Sequence, residues 1–342
     1  MQSMLPLRRD RLFRSGAGLA TALLALLGGW LAIEWVRSAA AQDALQAVVQ
    51  VDARIPPDAR SAASLGTDRS GTGIVIDGSG LVVTIGYLIL EASEIEIAGL
   101  GPEPVPASVV GYDHESGFGL IRAAQPLEVA PIGLGDSDAI RLMQPLLAVS
   151  RVEALDARGV YMVDRREFAG YWEYLLEDAI FTSPPHGQFG GAALLDRDGR
   201  LVGVGSLFVP DAAEQPTPVP GNMFIPINDL KPIMADLLAN GRRGGPPRPW
   251  LGIYLEEHRG RVFVTRVAPD GPAEAAGIRE NDLILGLGGR PIGGLAEFYR
   301  TLWGQGEAGV EVPLNMLQGM DLRRTTVRSL DRYRYLRMSP TY

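Results

Sequence analysis

Between Gly71 and Ile225 the chain is a succession of short apolar runs cut at close intervals by Gly, Pro and Asp. Gly73-Ile74-Val75-Ile76, Leu81-Val82-Val83, Glu94-Ile95-Glu96-Ile97, Leu146-Leu147-Ala148-Val149 and Leu201-Val202-Gly203-Val204 have the length and composition of strands. Asp77-Gly78-Ser79-Gly80 and Asp198-Gly199 fall between such runs and predict hairpins. Many short strands at this spacing predict a barrel or sandwich, not a parallel α/β sheet. The region closes with one helix. Leu230, Ile233, Met234, Leu237 and Leu238 share a face, Asn228 is placed to cap its start, and Gly241 lies just past its end. Upstream, Ala44, Leu45, Val48 and Val49 are spaced like a short helical face in an Ala-rich connector, residues 37–64.

Gly241-Arg-Arg-Gly-Gly-Pro-Pro-Arg-Pro249 has no apolar period and marks a linker between domains. A second compact unit is expected over 250–330, followed by a Tyr- and Arg-rich tail, 331–342. At the other end, Ser15 to Ile33 are 19 consecutive uncharged residues, which span about 28 Å as a helix, close to bilayer thickness. Arg8, Arg9, Arg11 and Arg14 precede them in a basic segment, 1–14, which the positive-inside rule keeps in the cytoplasm. Residues 15–36 are therefore read as an uncleaved transmembrane anchor, with the folded domains exported to a bacterial periplasm. Ala39-Ala40-Ala41 would suit cleavage of a signal peptide, but an apolar core of 19 is long for one.

Composition narrows the chemistry. A net charge of −8 speaks against a nucleic-acid surface. The absence of cysteine excludes disulfides, thiolate metal sites and a Cys nucleophile. Only His114, His186 and His258 could serve as an imidazole base. No cofactor or metal is expected. Were a metal present, His114 and His186, with Asp113 or Glu115, would hold it. His258 lies in a polar turn and should be solvated.

The motifs together resemble the HtrA/Deg family of exported proteases. Gly71-Thr-Gly-Ile-Val-Ile-Asp-Gly-Ser-Gly-Leu-Val-Val-Thr84 is similar to the opening of its trypsin-like domain. Pro131-Ile-Gly-Leu-Gly-Asp-Ser-Asp138, Gly187-Gln-Phe-Gly-Gly191 and Phe224-Ile-Pro-Ile-Asn228 continue the match in order. The resemblance implies a trypsin-like double β-barrel with a C-terminal helix over 65–240. The linker 241–249 and a small α+β PDZ domain over 250–330 follow. It also places the catalytic roles. Tyr87 stands where the family has its His base, Gly117 where it has the orienting Asp, and Phe189 where it has the Ser nucleophile. All three roles of a serine protease are then vacant, while Gly187, Phe189, Gly190 and Gly191 would keep the backbone of an oxyanion loop. A relocated Ser183–His186 pair is the enzymatic alternative.

Gly271-Pro-Ala-Glu-Ala-Ala-Gly277-Ile-Arg-Glu-Asn281-Asp282-Leu-Ile284 looks like the core of a bacterial PDZ domain. The resemblance places Trp250, Leu251, Gly252 and Ile253 at the carboxylate-binding loop, with Phe298 and Leu302 on the opposite wall of the groove. Asn281 replaces a usual glycine and tolerates left-handed geometry. Only Glu256 to Gly260 separate the loop strand from Arg261, which predicts a short groove. The expected function is an inactive, membrane-anchored HtrA-like protein that binds peptides or protein C-termini. Assembly with itself or with HtrA-type proteins would suit it, and a purely structural subunit of such an assembly is a further reading.

Overall fold

In the computed structural model the described residues are 39–213 and 215–336. The anchor expected over 15–36 lies outside them. No helix among the described residues is long and apolar enough to cross a membrane.

Six strands close the first barrel: β1 (Val48–Arg54), β2 (Asp68–Val75), β3 (Leu81–Ile85), β4 (Glu94–Ala98), β5 (Val105–Tyr112) and β6 (Phe118–Ala123). Their order is β1-β2-β3-β6-β5-β4. The second barrel consists of β7 (Pro145–Val152), β8 (Ala154–Gly170), β9 (Tyr174–Ser183), β10 (Ala193–Leu195), β11 (Leu201–Ala213) and β12 (Val219–Pro226). It runs β10-β11-β12-β9-β8-β7. The hairpins read from Asp-Gly pairs form as expected. Asp77 Oδ1 accepts the amides of Ser79 and Leu81, each at 2.8 Å, which folds the β2–β3 turn.

Val48–Arg54, expected as part of the connector, is the first barrel strand. Val49, Val51 and Ala53 are buried and alternate with half-buried Gln50 and Asp52, a period of two that the preceding Ala44-Leu45 masks as helical. A helix, Ala39–Gln46, does precede it. The helix after β12 is shorter than its apolar face suggested, Met234–Asn240, and Asn228 does not cap it. Pro232, in the preceding turn, has no amide to donate and disfavours helix at Lys231. The Asn228 side chain instead donates to Asp136 Oδ1 at 2.7 Å. Gly241 ends the helix with φ +71° as expected.

The second domain is a sheet in the order β13 (Ile253–His258), β14 (Arg261–Val267), β15 (Leu283–Leu287), β17 (Glu311–Gln318) and β18 (Asp321–Arg328), with β16 (Arg290–Pro291) paired to β15. A helix, Leu295–Trp303, covers it. The β13–β14 connection is the short one expected, with Arg259 and Gly260 both at positive φ, and His258 is exposed. Asn281 takes φ +69°. Trp250 and Leu330 exchange two backbone hydrogen bonds, 3.1 and 2.9 Å, and tie the ends of the domain together.

The linker is pinned, not loose. Arg243 grips the buried Asp113 through two bonds, 2.8 and 3.2 Å, and Arg248 meets Glu115 at 2.9 Å. The tail also packs. A turn of helix, Arg332–Tyr335, sets Tyr333 over His114, ring centroids 4.6 Å apart, and Tyr335 beside Trp250 at 4.5 Å.

Candidate functional site

The first cleft lies between the barrels. One helical turn after β3, Gly86–Ile89, carries Tyr87. Its hydroxyl donates to the Ser206 carbonyl at 3.0 Å, across from one barrel to the other. Burial pushes the phenol far above its usual range, so it has no capacity to take a proton at neutral pH. A Cβ built on Gly190 would stand 3.0 Å from this hydroxyl, so the ring fills the space in front of the 187–191 loop.

Gly117 sits at φ +89°. A Cβ there would meet Tyr174 Oη and Ile225 Cδ1, both at 3.2 Å, and Tyr174 Oη is held by a 2.5 Å bond to the Ser116 carbonyl. A carboxylate at 117 would have neither the backbone conformation nor the room. Phe189 is half-buried. Its loop is clamped between Thr72, whose amide donates to Gly190 O at 2.9 Å, and Gly205, whose carbonyl accepts the Gly191 amide at 2.9 Å. A Cβ on Gly191 would fall 2.0 Å from Thr72 O, which makes that glycine a packing requirement whatever the chemistry. Among the described residues, the amides of Gly187 and Phe189 donate to no acceptor.

The structure does not join Ser183 to His186. Ser183 Oγ donates to the Pro220 carbonyl at 2.9 Å. His186 instead pairs through Nε2 with Ser150 Oγ at 2.7 Å, a residue that drew no notice in the sequence. Asp156, the cross-strand partner of Ser150, lies 3.7 Å from His186 Nδ1. Burial lowers the His186 pKa; Asp156 opposes this and Arg158 adds to it. The trio has the composition of a catalytic triad, yet Ser150 and His186 are each 0% exposed. His114 is half-buried, with its Nδ1 shut away from solvent and without a hydrogen-bond partner among the described residues. Its pKa is driven down to about 3, first by burial, then by nearby Arg332. His114 packs on Tyr333 while His186 bonds Ser150, and Asp113 and Glu115 are taken by arginines. Among the described residues no cluster of three His, Asp or Glu side chains could hold a metal.

The PDZ loop has an unexpected occupant. Glu173, in the turn joining β8 to β9, accepts the amide of Gly252 at 2.8 Å, of Ile253 at 3.1 Å and of Leu251 at 3.2 Å. Gly252 makes the curve possible at φ +77°. Trp250 is not part of this cradle, since its amide goes to Leu330 and its ring packs on Tyr335. Phe298 and Leu302, expected on the groove wall, are each 0% exposed and share one apolar cluster with Tyr299 and with Leu175 of the β8–β9 ribbon. The wall residue in contact is Tyr299, whose hydroxyl donates to the Gly170 carbonyl at 2.6 Å.

Two closed barrels, followed by a small antiparallel sheet with an amide cradle, match independent comparisons. A trypsin-like peptidase domain model fits residues 71–204, and a PDZ domain model fits residues 249–328. In these two domains and their order the chain is similar to the HtrA and Deg proteases. The periplasmic serine endoprotease DegP of Salmonella typhimurium is 28% identical over 275 residues, 72% of this chain and 54% of that protein. The serine protease Do-like HtrA of Bacillus subtilis is 25% identical over 279 residues, 73% and 61% respectively. The chain thus spans between half and two thirds of the length of these HtrA/Deg relatives. The crystal structure of a serine endoprotease from Yersinia pestis superposes with a TM-score of 0.51 at 21% identity, covering 85% of this chain and 96% of that one. That likeness bears on the fold.

The residues that sequence reasoning passed over are Ser150, Glu173 and Tyr299. One signal was available for Glu173: the hairpin loop Tyr171-Trp172-Glu173 carries two aromatics and an acid where turn residues are the rule.

Proposed function

We propose that this HtrA-like chain is a periplasmic protein, held by an N-terminal anchor over 15–36, that no longer cleaves peptide bonds and works by binding peptides or protein C-termini at its PDZ domain. One observation carries the loss of chemistry. The side chain facing the 187–191 loop is a half-buried phenol whose hydroxyl is bound to Ser206 O, with Tyr174 and Ile225 occupying the room an orienting acid would need. Without a base, a serine restored at 189 would keep its proton. The periplasmic location rests on relatives named as periplasmic endoproteases.

The binding reading is supported by three convergent amides at Leu251, Gly252 and Ile253, a cradle that recognises a carboxylate. Capture of a peptide with a free C-terminal carboxylate, lost when the end is amidated, is the expected result. Equal capture of both forms would refute end recognition. Protease added to spheroplasts should remove the barrels and the PDZ domain; a soluble protein beginning at Gln42 would discard the anchor and keep the export.

A second reading has its own observation, the 2.7 Å Ser150–His186 contact. It makes the chain a hydrolase with a relocated nucleophile. Full burial of both side chains weighs against it, because a substrate carbonyl must touch the serine oxygen. Labelling of Ser150 by a serine-directed phosphonate would favour it.

A further inference from the structure

The β8–β9 turn lies in the PDZ groove in the manner of a bound peptide. The amide of Leu255, on β13, donates to Tyr171 O at 2.8 Å, so the turn adds to the strand edge as an extended ligand would. On the opposite wall the Tyr299 hydroxyl donates to Gly170 O and accepts the Glu173 amide at 3.1 Å. The Glu173 carboxylate fills the cradle. Leu175, 7% exposed, and Ala169 pack into the apolar cluster of the PDZ domain. A carboxylate on successive amides, a backbone bond to the edge strand and an apolar side chain in the core are all supplied from within the chain.

The turn itself does not ask for this residue. A three-residue hairpin loop commonly ends in a left-handed position that glycine fills most easily. Glu173 occupies that position at φ +55°, a strained choice for a residue with a Cβ. It is 4% exposed and all its hydrogen-bond partners lie on the other domain. Arg332 reinforces the arrangement by donating to the Trp172 carbonyl at 3.2 Å. Arg300 ties the same ribbon to the PDZ helix through Glu167 and Glu177.

We infer that Glu173 is the resident ligand of the PDZ carboxylate loop, and that a peptide ending in a free carboxylate gains the groove only by displacing it. This rests on the peptide-binding reading above and adds its regulation and its competitor. Because Glu173 is tethered, it competes at a high effective concentration.

The test uses the full-length chain in mild detergent and a labelled octapeptide with a free-acid C-terminal leucine. Wild type, Glu173→Ala and Glu173→Gln are compared for peptide affinity and for hydrogen exchange at residues 251–253. In Glu173→Ala the peptide should bind at least tenfold more tightly and the three amides should exchange faster. Glu173→Gln keeps an acceptor oxygen, so it should stay near wild type and show that a mere change of sequence in the turn is harmless. Equal, measurable affinity in wild type and Glu173→Ala would overturn the inference and leave peptide binding intact. Unchanged protection of 251–253 in Glu173→Ala would overturn it as well. Faster exchange with no binding by any form would contradict peptide recognition itself, and with it the competition.

Discussion

In the barrel cleft, Tyr87 reaches across to a backbone carbonyl of the other barrel, and Tyr174 and Ile225 crowd Gly117. In the PDZ groove, an acid from a neighbouring turn sits on three amides. Both places are filled by the chain itself, but with different consequences. The cleft is filled by neutral groups that are part of the barrel's own packing, so emptying it means damaging a core. The groove is filled by a tethered group with the same chemistry as an outside ligand, so emptying it is an exchange. On the proposed reading, a site closed by packing is lost, while a site closed by a mimic is open to regulation.

The sharpest way to break this contrast is to force the cleft back. Gly117→Asp imposes a side chain at φ +89° against Tyr174 and Ile225, and a carboxylate left there without a partner. The expected cost is about 3 kcal/mol, seen as a fall in Tm on the order of 10 °C. The triple variant Tyr87→His, Gly117→Asp, Phe189→Ser should therefore fail first as a fold. A triple variant as stable as wild type would show that the cleft is not closed by packing.

Next comes the docking of the turn. Glu173→Ala should loosen the contact between barrel and PDZ domain by about 1–2 kcal/mol, read as faster proteolytic nicking in the linker 241–249. Glu173→Gly should lose the same contacts but recover roughly 1 kcal/mol from the left-handed position. If the two variants behave alike, strain at residue 173 has no part in the balance. A smaller effect is expected at Tyr87→Phe, where one hydrogen bond to Ser206 O is lost, about 1 kcal/mol of stability with no change in peptide binding.

The mildest probe is pH. Burial pushes the Glu173 carboxyl up to about 7, against the loop amides and Arg332, which favour its ionised form. A carboxyl with a higher pKa when docked stabilises docking fully below its ordinary value of 4.5, and that share is lost as pH rises through about 7. The neighbouring His114 acts in the opposite sense: held down to about 3, it stabilises above 6.5 and ceases to as pH falls towards 3. Glu115, Arg248 and Arg332 line the same space. Peptide affinity of wild type relative to Glu173→Gln should therefore rise about threefold from pH 6 to pH 8. A ratio independent of pH would take Glu173 titration out of the account.

Much of the architecture was legible because it is local. Alternating apolar runs and Asp-Gly turns marked the strands, and Gly241 marked a helix end. The errors were also local, where two periods overlapped. Val48–Arg54 reads as strand only once Val49, Val51 and Ala53 are taken separately from Ala44 and Leu45. Phe298 and Leu302 fall in one apolar cluster with Leu175, a residue of the first domain that helical spacing within Leu295–Trp303 has no means of naming. The contact between Glu173 and Gly252 spans 79 positions and joins two domains. No pattern within either segment encodes it. The same holds for Ser150 and His186, brought together by the closing of the second barrel.

The claim that the cleft is closed while only the groove remains open to exchange is tested most directly by phosphonate labelling of the purified full-length chain, with hydrolysis of an unfolded protein substrate measured alongside. The account predicts no labelled serine and no hydrolysis that follows the protein through purification. Labelling of Ser150, with proteolysis abolished in both Ser150→Ala and His186→Ala, would contradict it.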